Sequence, residues 1–284
     1  MAAPPRFTAM TADRIPGGLR LCRACGWNQL EEDWRFFLDA PGSGGVVSER
    51  AGNILGTAAW IRYGALAWIA MMLVDPAERG AGVGAGLLAE ALSSVAHVPC
   101  VGLDATPAGE PLYRRFGFEA HSSVIRTKAV VDGALLPGPS GAVRRMVEAD
   151  LPDIYHWDRK VFGADRSLLL AALFARAPEC AWVVGGAARL RGYTFGRPGH
   201  LYYQLGPVVA ADAATARELA AGCLSRLHGR KVAIDAGAAR GEFLGFLQSA
   251  GFVEERCFAR MYLRGCVPPG VPSAQYAIAG PEFG

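Results

Sequence analysis

The sequence predicts an α/β chain built as two similar units in tandem, and three observations carry that expectation. An apolar run from Trp68 to Val74 passes through a Pro-marked turn at Asp75-Pro76 into a Gly-rich arm, and an amphipathic helix follows, opened by Leu87, Leu88 and Leu92. Regular structure breaks at Leu136-Pro137-Gly138-Pro139-Ser140-Gly141. Beyond that break the pattern partly returns. Val232-Ala233-Ile234-Asp235-Ala236 mirrors Val101-Gly102-Leu103-Asp104-Ala105, and Gly251-Phe252 mirrors Gly117-Phe118, as a duplicated fold would leave them.

The elements follow in order. Ala12 to Cys25 reads as a helix broken by Gly26-Trp27-Asn28, and Leu30 to Leu38 as a second helix with Trp34, Phe37 and Leu38 on one face. Val46 to Arg50, a turn at Ala51-Gly52-Asn53, and Ile54 to Tyr63 form a hairpin; a turn at Tyr63-Gly64 leads to the strand ending at Val74. After the Gly-rich arm and its helix come a short buried strand at Val101–Asp104, a short helix from Gly109 to Phe116, and a long strand from Phe118 to Val130. In the second unit Ala149–Phe162, Ser167–Ala175 and Ala213–Leu227 read as helices. Ala181–Gly185, Gly192–Phe195, Tyr202–Val209 and Val232–Ala236 read as strands. The expected domains are 1–135 and 142–265, joined by a linker at 136–141 and followed by a tail at 266–284.

At 284 residues the chain has room for two cores. A formal net charge of +3, with no basic cluster, argues against nucleic acid or an anionic membrane as partner. The longest apolar run, Tyr63 to Val74, is too short to span a bilayer, and Met1 to Arg6 lacks the apolar core of a signal peptide. A cytoplasmic protein is expected. The seven cysteines are odd in number and scattered, so they do not read as a disulfide framework. Cys22 and Cys25 form a C-x-x-C inside a helix, without the further ligands a zinc site needs, and read as two ordinary thiols. No metal site is expected, and the five histidines form no triad.

The arm carries the chemistry. Glycines at alternate positions let the backbone approach a ligand closely, and free N–H groups at a helix start suit phosphate. One reading is a dinucleotide fingerprint. Gly80-Ala81-Gly82-Val83-Gly84-Ala85 satisfies G-x-G-x-x-A, and Asp104 follows about 20 residues on. Against it, Asp75 to Arg79 intervene between strand and first glycine, and a hairpin precedes the strand. The other reading is stronger. Arg79, Gly82 and Gly84 fill the pattern Arg or Gln, two residues, Gly, one residue, Gly or Ala, which resembles the pyrophosphate arm of the GCN5-related N-acetyltransferase superfamily. Leu112-Tyr113, three residues from Gly117-Phe118, resembles its second motif, and the element order of the first half matches its fold.

This resemblance implies acyl-CoA N-acyltransferase folds in tandem, each a mixed, mostly antiparallel twisted sheet flanked by helices. It implies acetyl-CoA as cofactor, with pantetheine against the backbone of Leu73 and Val74 and pyrophosphate against Arg79, Gly80, Ala81, Gly82, Val83, Gly84 and Ala85; Thr106 and Pro107 lie alongside. Tyr113 would then donate a proton to the departing sulfur, since a phenol with pKa near ~10 stays protonated at neutral pH. The second half has Ala210-Ala211-Asp212-Ala213-Ala214 in place of the arm and Leu247 in place of Tyr113, so it reads as degenerate.

A small-molecule amine or peptide acceptor is expected near Trp27 and Asn28, with Trp68 and Met72 alternating along the strand toward the same space. Many members carry a glutamate on that strand. Here Ala67 to Val74 contains no carboxylate, so the sequence assigns no base; Asp104 and Asp33 are the candidate substitutes, acting through water, and each reads first as structural. Asp165, Arg166 and Arg197 either recognise a substrate charge or pair with one another. Gly26-Trp27-Asn28-Gln29, Leu103 to Gly109, Phe162 to Ser167 and Ala277 to Gly284 resemble recurrent segments of a tandem bacterial subgroup. A monomer or weak homodimer is expected. The alternative function is a non-catalytic acyl-CoA sensor.

Overall fold

The computed structural model describes residues 4–136, 142–185, 190–266 and 270–284; the linker glycines and prolines from Pro137 to Gly141 lie outside them. The first half runs β1 (Arg6–Ala9), α1 (Ile15–Ala24), α2 (Glu31–Asp39), β2 (Gly44–Arg50), β3 (Asn53–Tyr63), β4 (Leu66–Val74), α3 (Val83–Ser94), β5 (Cys100–Ala105), α4 (Glu110–Arg115) and β6 (Phe118–Val130). The second runs β7 (Val143–Arg145), α5 (Leu151–Phe162), α6 (Ser167–Arg176), β8 (Trp182–Val184), β9 (Gly192–Arg197), β10 (Tyr203–Ala210), α7 (Ala213–Leu224), β11 (Lys231–Gly237), α8 (Gly241–Ser249), β12 (Val253–Leu263) and β13 (Gln275–Ala277).

Local chemistry accounts for these elements. Ile15, Gly18, Leu21 and Cys22 recur at helical spacing and bury one face of α1. Ala51 and Gly52 both have positive φ, 49° and 78°, the two-residue turn whose twist matches a β2–β3 hairpin. β4 is buried along most of its length because α1 and α2 cover one face of the sheet and α3 and α4 the other.

The thirteen strands form one sheet in the order β1-β2-β3-β4-β5-β12-β6-β11-β13-β10-β9-β8-β7. β4–β5 and β10–β11 are parallel and the other pairings antiparallel. The expected fold, mixed and mostly antiparallel in each half, is present twice. The two final strands are exchanged, however. β12 pairs with β5 (Tyr262↔Gly102, Ala259↔Ala105), and β6 pairs with β11 (Val124↔Gly237 to Val130↔Lys231). Each is preceded by a short helix and a glycine of positive φ, Gly117 at 87° and Gly251 at 85°, so the two strands are alike in everything but their neighbours.

Two ion pairs lock the exchange. Arg260 on β12 stands opposite Asp104 on β5 and holds it through Nε and a terminal nitrogen at 2.9 and 2.8 Å. Arg126 on β6 stands opposite Asp235 on β11 and holds it at 2.7 and 2.7 Å. Both carboxylates are fully buried. Opposite charges on facing residues favour this register over a slipped one, since removing either partner strands a buried charge.

The cysteine expectation needs correction. Cys100 and Cys266 form a disulfide with Cα atoms 5.6 Å apart, joining the start of β5 to the segment after β12. Sequence spacing cannot reveal it, because the exchange brings together residues separated by 166 positions. Cys22 and Cys25 are free thiols, and burial pushes Cys22 up to about 12. Among the described residues no helix is long and apolar enough to cross a membrane, and no cluster suits a metal ion.

Candidate active site

The parallel pair β4–β5 has three rungs, Leu66↔Cys100, Ala67↔Val101 and Trp68↔Gly102, and then parts. β4 kinks just beyond. Between Thr57↔Leu73 and Ala59↔Ala70 it carries one extra residue, Met71 has φ +52°, and the Thr57 hydroxyl donates to the Met71 carbonyl at 2.8 Å. From Ile69 to Val74 no strand among the described residues pairs β4 on the β5 side, so the backbone of Leu73 and Val74 faces an opening.

The Gly-rich arm sits at the mouth of this opening. Gly80 and Gly82 have φ of +81° and +82°, which a side chain resists, and a Cβ at either would project into open space. Gly82 is the N-cap of α3 and brings no capping side chain. The first helical bond there is Gly86 N–H to Gly82 carbonyl, 3.1 Å. Among the described residues the N–H groups of Val83, Gly84 and Ala85 have no acceptor. Unpaired amides at the positive end of a helix are the donor set a pyrophosphate requires, and the residues present fit such a group. Arg79 points elsewhere than the motif suggests, toward the Cys25 sulfur at 3.7 Å.

Where the strands part lies a cleft lined among others by Trp27, Met71, Met72, Thr106 and Tyr113. Tyr113 is buried against the edge of Phe118, and burial pushes its phenol up, so it keeps its proton at neutral pH. Asp104 also borders the cleft. Burial pushes its carboxyl up while Arg260 opposes the shift, and both its oxygens are engaged by that guanidinium.

Other expected site residues are placed differently. Trp68 does not join Met72. The kink at Met71 breaks the alternation that put them on one face, and the Trp68 indole lies in a neighbouring hollow, donating to the Pro281 carbonyl at 2.8 Å. Asn28 borders the cleft, but both ends of its amide are spent. Its Nδ2 donates to Tyr202 carbonyl at 3.0 Å, and its Oδ1 accepts from Leu201 and Tyr202 N–H at 2.8 and 3.1 Å. It clamps the second half's 199–202 loop. A Cβ at Gly199 would lie 2.0 Å from its Nδ2.

Pro107 lines a separate surface hollow. Asp33 accepts from Leu30 N–H at 2.8 Å and from Arg176 at 2.7 Å, a helix cap and ion pair at zero exposure. Arg166 pairs with Asp158, Asp165 with Arg159, and Arg197 with Glu282; they form pairs, though not with one another. The residues that sequence reasoning missed are Arg126, Arg256, Phe258 and Glu282, all lining the cleft. They arrive through the strand exchange and the 270–284 segment, for which no local spacing is a signal.

The second half repeats the geometry and fills it. β10–β11 also has three rungs, Tyr203↔Val232 to Leu205↔Ile234, before parting. β13 then occupies the opening, pairing with Val208 and Val209 on one side and Ala236 on the other. At the start of α7, Asp212 accepts from Thr215 N–H at 2.8 Å, so a carboxylate of the chain itself caps that helix.

Comparison with known proteins agrees with this geometry. Two family models, each of an acetyltransferase (GNAT) domain, match residues 41–120 and 154–277. Such domains take their acyl group from acyl-CoA. The chain is 26% identical over 207 residues, 73% of each chain, to the uncharacterized N-acetyltransferase YitH of Bacillus subtilis. It is 29% identical over 219 residues, 77% of this chain and 73% of the relative, to a holothin acyltransferase of Pseudoalteromonas. In fold it is similar to a putative acetyltransferase from Pyrococcus horikoshii (TM-score 0.83, 19% identity, covering 100% and 97% of the two chains). It is also similar in fold to a tandem GNAT protein from the clavulanic acid biosynthesis pathway (TM-score 0.64, 13% identity, covering 91% and 98%). The chain therefore belongs to the GCN5-related N-acetyltransferase superfamily, as an acyltransferase with two such domains in tandem.

Proposed function

We propose that this protein transfers an acetyl group from acetyl-CoA to the primary amine of a small-molecule or peptide acceptor, at a single site in the first half. The observation that carries this reading is the parting of β4 from β5 beyond Trp68 and Gly102, with uncapped α3 amides at its mouth. Amides from Gly80 to Ala85 hold the pyrophosphate, and the β4 backbone at Leu73 and Val74 aligns the pantetheine. The bound thioester supplies an activated acyl carbon. The acceptor sheds one proton to solvent to become a neutral amine, and its nitrogen then forms the C–N bond as the C–S bond breaks. Tyr113 gives its phenolic proton to the departing sulfur, and the second proton lost by the nitrogen restores the phenol through solvent. Backbone N–H groups near the Met71 kink steady the developing oxyanion.

The second half is read as degenerate because β13 and Asp212 stand where pantetheine and phosphate would lie. We place the sequence domains at 1–135 and 142–265, each lending its final strand to the other's sheet. The name of the Pseudoalteromonas relative supports a small-molecule acceptor. Calorimetry with CoA, followed by thiol release from acetyl-CoA across amines, amino acids and peptides, tests the reading. One CoA per chain and turnover with an amine are expected. Binding without turnover on any amine replaces transferase with sensor.

A further inference from the structure

We propose that Glu282, with Gln29, forms the binding site for the acceptor's ammonium group, so that the 270–284 segment supplies the acceptor side of the cleft. This rests on the acyl-transfer reading above for its context, though not for its test. The first argument is position. Trp68 closes the last rung before β4 and β5 part, and its indole holds the carbonyl of Pro281. Glu282 is the next residue, and it lines the same cleft as Tyr113, Met71 and Trp27.

The second argument is rigidity. Phe283 stacks on Phe37 with ring centres 5.7 Å apart and meets Phe36 edge-on at 5.8 Å, and its carbonyl accepts from the Tyr63 hydroxyl at 3.0 Å. Glu282 is therefore clamped on both sides and only 4% exposed.

The third is unspent bonding capacity. One oxygen of Glu282, Oε1, accepts from Gln29 Nε2 at 3.0 Å and from Arg197; no donor among the described residues bonds its other oxygen. Facing a carboxylate fixes the Gln29 amide with its nitrogen toward Glu282, which leaves Gln29 Oε1 at the far end. That oxygen is buried and has no donor among the described residues. Gln29 is itself 7% exposed and borders the cleft.

A buried acceptor without a donor is costly, and a ligand N–H removes the cost. An ammonium group brings three donors and a positive charge. A hydroxyl brings one donor, and a carboxylate none.

Each charge of the lining has an ion partner, Glu282 included through Arg197; Glu282 differs in keeping one oxygen that no donor among the described residues bonds. Asp104 is held by Arg260, and Arg126 is spent on Asp235 and the Tyr202 hydroxyl. Arg256 lies at the exposed rim, 3.7 Å from Glu255. Arg197, behind Glu282, is not a lining residue, and faces Asp33 at 3.7 Å. Glu282 and Gln29 thus supply what the β4 strand, with no carboxylate from Ala67 to Val74, does not.

The test uses the full chain and methylammonium chloride, with sodium chloride at equal ionic strength and methanol as controls. Without any acyl donor, methylammonium should move the side-chain NMR signals of Gln29 and Trp27 saturably, and the controls should not. Glu282→Gln should weaken that titration about tenfold, and lower kcat/KM for methylamine with acetyl-CoA to a similar extent. CoA affinity should stay within about twofold, since no contact to the donor is touched. Absence of the shifts in the wild type, or an unchanged titration in Glu282→Gln, overturns the assignment.

If that variant does not fold, Gln29→Met carries the test by removing the unpartnered oxygen at similar volume. Several-fold weaker methylammonium binding with the melting temperature retained supports the site, and unchanged binding overturns it. Failure to bind CoA, or to release thiol with any amine, counts against acyl transfer alone, because the NMR titration needs neither.

Discussion

The pairs β4–β5 and β10–β11 start alike and end differently. Each runs parallel for three rungs and then separates. In the first half the gap stays open above a helix start that offers bare amides. In the second, β13 satisfies the backbone on both banks, and Asp212 supplies the negative charge at the helix start. The duplicated fold thus leaves one gap open and closes the other with its own chain. Donors and acceptors that β13 and Asp212 satisfy in the second half stay bare in the first.

Five changes break or sharpen that comparison. The largest effect is expected from Arg260→Ala, which strands the buried Asp104 charge between the halves; it should lower unfolding free energy by about 4 kcal/mol in denaturant melts. Arg126→Ala, its counterpart against Asp235, should cost about as much. A small effect in either would mean that the exchange does not depend on these pairs. Gly82→Val next forces a branched side chain into a left-handed conformation at the α3 start. CoA affinity by calorimetry should fall about a hundredfold or more, with no binding from the second half to replace it.

Tyr113→Phe should reduce kcat about a hundredfold while CoA affinity holds, because the ring stays against Phe118 and only the proton donor is lost. The smallest effect is expected from Asp212→Ala, which uncaps α7 at about 1 kcal/mol. Bonds from Thr215 and from Arg191 hold Asp212 below its usual value of 3.8, so the folded state favours the carboxylate. Its contribution is present above pH 3.8 and lost as pH falls through the lower folded value. Acid melts of Asp212→Ala should accordingly be flatter in that window than those of the wild type.

Much of this architecture was legible in the residues, and the gaps have physical causes. The long strand from Phe118 to Val130 and the helix after the Gly arm show themselves through local pattern and punctuation. A strand's alternation says which face is buried but nothing of which strand lies beside it, so the exchange of β6 and β12 was invisible. With it went Cys100–Cys266, Arg260 against Asp104, and the arrival of Arg126 and Phe258 at the cleft. β1, β7 and β13 are too short to show a period. At the site, the Gly arm, Tyr113 and the Gly26–Gln29 loop were readable because their chemistry is local. The amide of Asn28 and the alternation of Trp68 with Met72 point to a ligand, yet both side chains bond to backbone, of the second half and of the 270–284 segment, which only the tertiary structure reveals. Glu282 lies in the Ala277–Gly284 segment, whose resemblance marks the stretch but assigns no role to the residue.

The placing of β12 between β5 and β6 has a consequence for biogenesis. A ribosome delivers β1 to β5 long before Val253 to Leu263 emerge, so the nascent first half waits with an unpaired edge on β5 and no partner for Asp104. Closing that edge requires residues more than 150 positions apart in sequence to meet, as in the 156 that separate Asp104 from Arg260. Loop closure over such a span is slow, and the exposed edge is open to pairing with other chains meanwhile. Assembly of the first half's sheet is thereby tied to the arrival of a strand from the second.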